Sequence, residues 1–269
     1  MKKVLLSIAG YDPTSGAGII LDLKVFQHLD FEGMAILTSV TSQNTIHVKK
    51  FHCIPSDFLW DQYKCLCEDV NFSGIKVGMV GCRNNIPIIE RILSDNPDIP
   101  KVIDPVFKSS SGIWLLEKKA VSIYIKKIIG KASLLTPNLE EAALISGRKV
   151  ENLSDMKEAA ERIYSLTRVP CMIKGGHLPN QASDLLFDGT IFHLLKKEKI
   201  TKKVHGTGCF FSSSLLGYLA KGKSLKKACS LASRLTFNAI KNAVSIGHGQ
   251  AIITFPIKLK AQNSKLIFL

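Results

Sequence analysis

Apolar and polar positions along the chain follow two periods. Short β-branched or apolar runs occur at 3–9, 34–40, 74–80, 100–104, 132–136, 170–174 and 183–195, and each predicts a strand. The longer stretches between them keep the helical repeat. Leu59, Tyr63, Leu66 and Val70 are spaced 4, 3 and 4 residues apart, which sets them on one helix face. Ile19, Leu23 and Phe26 predict the face of an earlier helix. Ser154 followed by Asp155 reads as a helix N-cap and an acidic first turn. Strands that are apolar throughout must be covered on both faces, so the pattern predicts a mostly parallel sheet between helical layers. No repeat, low-complexity block or composition shift marks a linker, and residues 1–269 are expected to form one α/β domain.

Composition narrows the picture. A chain of 269 residues that is 46% hydrophobic and 22% charged is neither disordered nor collagen-like. The segment Met1 to Gly10 has the superficial layout of a secretion signal, but its apolar part is short and Asp12-Pro13 follow at once. It is expected to be a buried first strand. No apolar run approaches the roughly 18 residues of a membrane span. Seven cysteines, an odd number without a Cys-x-x-Cys pair, imply free thiols in a reducing cytoplasm. The formal charge of +14 is carried by scattered lysines, with small clusters at Lys196–Lys203 and Lys221–Lys227. Aromatic interleaving is missing, so this reads as a surface that attracts anionic substrates and not as a nucleic-acid interface.

The glycines gather after strands, where ligands bind in such sheets. His205-Gly206-Thr207-Gly208-Cys209 opens a helical run, so its free N–H groups and the positive end of the helix would face an anion. A thiol at that place is expected to have a lowered pKa, and as thiolate it could accept a proton from a substrate hydroxyl. Gly10 to Gly18 fills the loop after the first strand with small residues, and Asp12 there caps the turn or binds ligand. Asp104 at one strand end and Glu140-Glu141 after another are carboxylates facing the glycine-rich segment, a set that suits Mg²⁺ with phosphates. Asn138 reads equally as a helix N-cap. Lys174, before Gly175-Gly176-His177, could neutralise phosphate, whereas His177 is read as structural. Gly217-Tyr218-Leu219-Ala220-Lys221-Gly222-Lys223-Ser224 matches the P-loop pattern letter for letter, but it continues a helix where a P-loop must follow a strand. Gly222 is expected to end that helix and Ser224 to cap the next.

Taken together, Ala9 to Lys24, Thr41 to Thr45, Lys76 to Met79, Ile103 to Val106, Thr136 to Ala142, Met172 to Leu178, His205 to Cys209 and Gly247 to Gly249 resemble, in order, the ribokinase-like superfamily. The resemblance is narrowest to the hydroxymethylpyrimidine/phosphomethylpyrimidine kinases of thiamine biosynthesis. It implies a three-layer α/β/α fold with a mostly parallel central sheet. It also implies Mg²⁺-dependent phosphoryl transfer from ATP to a hydroxymethyl group on an aminopyrimidine, and then to its monophosphate. By the same match Gln43, Gly10, Asp12, Ala17, Asp22 and Met79 fall at the substrate pocket. The Gln43 amide offers a donor and an acceptor to the aminopyrimidine edge. Cys209 takes the base position, and the amides around Gly206, Thr207 and Gly208 the anion hole. Asp104 and Glu141 match positions near Mg²⁺, and Asn138 and Lys174 positions near nucleotide phosphates. The family is often dimeric, so a homodimer in the cytoplasm is expected, with no nucleic-acid or membrane partner.

Three segments depart from the family pattern. Val204 stands where Thr is usual, Phe210 where Thr or Ser is usual, and Ser110-Ser111-Gly112 where Lys-Ser-Gly is common. The Ser-rich stretch 107–112 is expected to be a flap that excludes water. The same fold also admits a pyridoxal or pyridoxine kinase, against which Gln43 argues. A non-catalytic nucleic-acid or vitamin-binding protein is the third reading.

Overall fold

β1 (Val4–Tyr11) shows how the sequence builds the molecule. Leu6 and Ile8 are buried in one core and Leu5 in another, so a strand apolar throughout feeds both faces of the sheet. Val102 and Ile103, Leu134 and Leu135, and Met172 and Ile173 divide in the same way. The computed structural model describes residues 2–176 and 183–255. His177 and Leu178, which end one of the motifs, lie outside them.

One nine-stranded sheet runs in the order β3-β2-β1-β4-β5-β6-β7-β8-β9. Its strands are β1, β2 (Glu32–Gln43), β3 (Val48–Cys53), β4 (Phe72–Val77), β5 (Lys101–Ile103), β6 (Leu134–Leu135), β7 (Cys171–Gly175), β8 (Ser183–Phe187) and β9 (Phe192–Lys196). The block from β2 to β7 is parallel, and β3, β8 and β9 are antiparallel additions at its edges. α1 (Gly18–His28), α7 (Thr207–Ala220) and α8 (Leu225–Lys241) cover one face through Leu21, Phe26, Phe211, Leu215 and Leu235. α2 (Ser56–Cys67), α3 (Asn85–Ser94), α4 (Val121–Lys127), α5 (Leu139–Ser146) and α6 (Leu153–Thr167) cover the other through Leu59, Ile89, Tyr124, Ala142 and Ile163. This is the expected three-layer α/β/α arrangement. No helix among the described residues is long and apolar enough to cross a membrane.

The local expectations are corrected in several places. β3 was not anticipated, and the run 183–195 is a hairpin, not one strand. Its turn is held by Asp188, whose carboxyl accepts from the Thr190 and Ile191 amides. α2 ends at Cys67, so Val70 lies beyond the helix. The buried residues of α1 are Leu21, Asp22, Val25 and Phe26, while Ile19 and Leu23 are only partly covered. α6 is capped by Asn152, which accepts from the Asp155 amide, and not by Ser154. The P-loop look-alike falls as expected: α7 runs through Ala220, Gly222 turns it at φ +74°, and Ser224 precedes α8.

The strand order reverses at β1, which has β2 on one side and β4 on the other. A sheet of this kind opens a crevice beyond the carboxyl ends of its strands at such a point.

Candidate active site

Two helix N-termini converge on one thiol. α7 begins directly at the loop Val204 to Gly206, and Cys209 lies in its first turn. The amide of Gly18, the first residue of α1, favours the Cys209 thiolate. Both approaches depend on glycine. Gly206 sits at φ +75°, and a Cβ there would lie 1.8 Å from the Gly16 carbonyl oxygen. Gly18 sits at φ +61°, with the Gly10 carbonyl 2.3 Å from its would-be Cβ. No other residue type fits either place.

Asp12 clips these loops together. Its carboxyl accepts from the Thr14 amide and hydroxyl at 2.8 Å each, and it pairs with His205 Nε2 at 2.8 Å. Burial works against its charge, but His205 and Thr14 hold it below the usual carboxylate range. Asp12 therefore closes the joint between the β1–α1 loop and the start of α7, and its oxygens are already engaged.

Asp22 is also displaced from its expected role. It is fully buried beneath the cleft, where Lys76 binds both its oxygens at 2.7 and 2.8 Å. Ser7 and Ser213 donate to it at 2.6 and 2.7 Å. With four contacts it has no oxygen left for a substrate. The position forms the floor: Ser213 is one helical turn past Cys209, so Asp22 ties α7 to β1, β4 and α1.

A second Asp–Lys pair opens onto the glycines. Asp104 follows β5 and Lys174 lies in β7, 2.7 Å apart. Thr136 Oγ1 donates to the same Asp104 oxygen at 3.1 Å, and Ser212 Oγ reaches the other at 3.3 Å. A Cβ on Gly208 would lie 3.2 Å from Lys174 Nζ and 3.5 Å from Asp104 Oδ2, so the missing side chain leaves a cradle beside the pair. Asn138 and Glu141 form a reciprocal capping box: the Asn138 amide donates to Glu141 Oε2 at 2.7 Å, and the Glu141 amide to Asn138 Oδ1 at 2.8 Å. The Asn138 side chain is thus the N-cap of α5. Burial, opposed by Lys174 and reinforced by Asp104, pushes the Glu141 carboxyl up to about 8.

The thiol itself reverses an expectation. Helix position alone argued for a lowered pKa, yet Cys209 is pushed up to about 11. Burial is the largest cause, and the charges of Asp22 and Asp104 add to it. Lys76 and the Gly18 amide act the other way and lose. Phe210, one of the departures, is fully buried against the Phe255 side of the core, so it packs the helix and does not line the cleft. Val204 bridges to Ala251 as backbone.

Four further segments carry the remaining expected residues. Gln43 ends β2 partly exposed, opposite Val48 across a register shift. The hairpin tip beyond it is held by the Gln250 amide donating to the Thr45 carbonyl at 2.8 Å. Ala17 precedes α1 with extended backbone, and Met79 packs on Gly10, where a Cβ would lie 2.9 Å from its sulfur. The 107–112 segment is a short hairpin hinged on buried Phe107, whose ring meets Tyr124 edge-on at 5.2 Å. Lys108, which carried no expectation, pairs with Glu140 and ties this segment to α5. His205, Thr136 and Ser212 were also missed. Each lies within or one turn beyond a motif, which is the only signal the sequence offers for them.

A family model described as phosphomethylpyrimidine kinase matches residues 12–254. The chain belongs to that family. A hydroxymethylpyrimidine/phosphomethylpyrimidine kinase of Aquifex aeolicus is 37% identical over 254 residues, covering 94% of this chain and 100% of its own. The structure of a phosphomethylpyrimidine kinase from Clostridium difficile aligns with TM-score 0.79 and 35% identity over 89% of this kinase and 100% of that chain. A pyridoxal kinase from Staphylococcus aureus, in complex with AMP-PCP and pyridoxal, aligns with TM-score 0.86 and 32% identity over 94% and 93%. The fold is therefore ribokinase-like and this kinase is a phosphotransferase.

Proposed function

We propose that this kinase transfers the γ-phosphoryl group of ATP to the hydroxymethyl oxygen of 4-amino-5-hydroxymethyl-2-methylpyrimidine, and then phosphorylates the monophosphate to the diphosphate. The convergence of two glycine-gated helix N-termini on Cys209, with the Asp104–Lys174 pair beside Gly208, carries the reading. The family relatives narrow the acceptor to the pyrimidine.

The residues fit a nucleotide-borne Mg²⁺. Among the described residues no group of three or more His, Cys, Asp or Glu could cage a metal on its own. Asp104 and Glu141 provide two carboxyl groups within electrostatic reach of one another, and Glu141 keeps one oxygen outside its cap. Mg²⁺ is ordinarily held in this way, by one or two carboxylates with phosphates and water completing the shell. When bound, the ion neutralises charge on the phosphates.

The chain's own residues divide the remaining work. Lys174, kept protonated by Asp104 and Glu141 against its burial, stands at the phosphate cradle. The amides of Gly206 to Cys209 face the transferred group, where the main catalytic task is charge stabilisation. Gly10, Ala17 and Met79 form the apolar side of the acceptor pocket, and Gln43 on the rim reads the aminopyrimidine edge. Cys209 removes the hydroxymethyl proton. Its raised pKa means that this step gains as pH rises. The flap, latched through Lys108 and Glu140, closes over the phosphates and excludes water.

The test is ADP release by purified protein with Mg-ATP and, separately, hydroxymethylpyrimidine, its monophosphate and pyridoxal, with products identified by mass. Turnover of the first two is expected. Turnover of pyridoxal alone would move the assignment to the second reading, which the likeness to the Staphylococcus aureus pyridoxal kinase favours. Folded protein that turns over none of the three would overturn both.

A further inference from the structure

Two cysteines outside the cleft are brought side by side by the fold. Cys53 closes β3, and Cys82 lies in the turn between β4 and α3. Cys53 Sγ packs against Gly81, the residue before Cys82, and both cysteines are partly exposed. The turn is pressed against the β2–β3 ladder. At Gly81, which holds φ +85°, a Cβ would lie 3.1 Å from Cys53 Sγ and 3.2 Å from the Ser39 Cβ. Ser39 is the ladder partner of Cys53, and its hydroxyl lies 3.5 Å from Met79 Sδ. Thr38 donates to the Met79 carbonyl at 2.6 Å, and Asn85 bridges the Thr38 and Val80 carbonyls. The two thiols therefore sit at the joint between the edge hairpin and the turn that carries Met79.

We propose that Cys53 and Cys82 are an oxidisable dithiol, which a hydroperoxide closes to a disulfide that staples the β2–β3 hairpin to the turn before α3. Cys82 is the attacking group. Its thiol is pulled down to about 6 by the neighbouring Cys53 thiol first, and by the Asn85 and Asn84 amides at the start of α3, against burial and Glu117. Cys53 shifts up correspondingly, since it keeps the shared proton. The Cys82 thiolate attacks a peroxide oxygen, the O–O bond breaks, and hydroxide leaves and is protonated to water, giving a sulfenic acid. The Cys53 sulfur then attacks that sulfur. The S–S bond forms, the S–O bond breaks, and the departing hydroxide takes the Cys53 proton as a second water. Two thiols lose two electrons and one peroxide gains them.

No other thiol of the chain competes on equal terms. Cys171 and Cys229 are buried, and burial pushes the Cys171 thiol up to about 12. Cys209 is pushed up to about 11. Cys65 and Cys67 are exposed on α2 but lie two apart, a spacing that does not bring helical side chains together.

Stoichiometric hydrogen peroxide applied to the reduced full chain tests this. Non-reducing peptide mapping is expected to find the Cys53 and Cys82 peptides linked, with the two thiols lost together and recovered in dithiothreitol. Amide hydrogen exchange in β3 is expected to slow on oxidation. C53S and C82S should show neither change. First oxidation at Cys65, Cys67 or Cys209, or a linked peptide without slower exchange in β3, would overturn the proposal. A further consequence rests on the function proposed above: the acceptor KM should rise several-fold on oxidation while the ATP KM stays put. Loss of all turnover in reduced protein would count against that function and leave the mapping and exchange readouts standing. An unchanged acceptor KM in oxidised, active protein would remove the link to the pocket.

Discussion

The fold holds two Asp–Lys pairs under one cleft, built from the same chemistry and put to different use. Asp22–Lys76 is sealed: both side chains are 0% exposed, and Ser7 and Ser213 occupy what the lysine leaves. Asp104–Lys174 is open: its lysine is 17% exposed, one aspartate oxygen has only a 3.3 Å donor, and Gly208 leaves space beside it. A saturated pair binds elements together, since nothing can be added without breaking a contact. An unsaturated one keeps capacity for a ligand. The difference separates architecture from chemistry where residue type alone does not, and it moves Asp22 from the substrate pocket to the floor.

Substitutions that act on one pair and spare the other break or sharpen this contrast. Asp104→Asn keeps the shape and removes the charge that pairs Lys174. It should lower kcat/KM by about 10²–10³-fold, the scale of a lost electrostatic stabiliser, while the urea midpoint moves little. Cys209→Ala should lower kcat by about 10²-fold or more, the range of a lost general base, with acceptor KM nearly unchanged in steady-state assays. Lys76→Met strands a buried carboxyl and should cost about 3–5 kcal/mol of folding stability, read by urea unfolding. The double variant Asp22→Asn with Lys76→Met should recover a large part of that loss. Equal stability losses from Asp104→Asn and Lys76→Met would erase the distinction between the two pairs.

A further contrast concerns Glu141. Its folded pKa, about 8, lies above the ordinary carboxylate value, so between the two the folded state holds a proton that the unfolded state has released. Glu141 therefore lowers stability progressively as pH rises from about 4.5 toward 8, by linkage. Glu141→Gln should flatten that part of the stability–pH curve measured by urea titration. A curve unchanged by the substitution would show that the carboxyl titrates normally.

What the sequence made legible follows how local each feature is. The strands β1, β4, β5 and β7, the end of α7 at Gly222 and the failed P-loop match are decided within a few residues. β3 was hidden because an edge strand carries lysines and polar groups, here Lys49, Lys50 and His52, which blunt its apolar pattern. The β8–β9 turn was readable in Asp188-Gly189 and was passed over within a long apolar run. The misplacements at the site are non-local. Asp22 is defined by Lys76, 54 residues on, and by Ser213, 191 residues on. Asp12 is engaged by His205 across 193 residues. The Cys209 shift likewise arises from burial first and then from Asp22 and Asp104, which no local reading brings near the thiol. Motif order names the residues that the fold gathers around Cys209 and Asp104, whereas the state of each group came from packing.

The proton-accepting role proposed for Cys209 is tested most directly by the pH dependence of kcat/KM for the pyrimidine acceptor, measured in wild type and in Cys209→Ala. The raised thiol pKa requires the wild-type rate to climb between about pH 7 and 9, as more of a base above neutrality becomes available, while the residual rate of the alanine variant stays flat. The same slope in both proteins would contradict the account and take the proton away from Cys209.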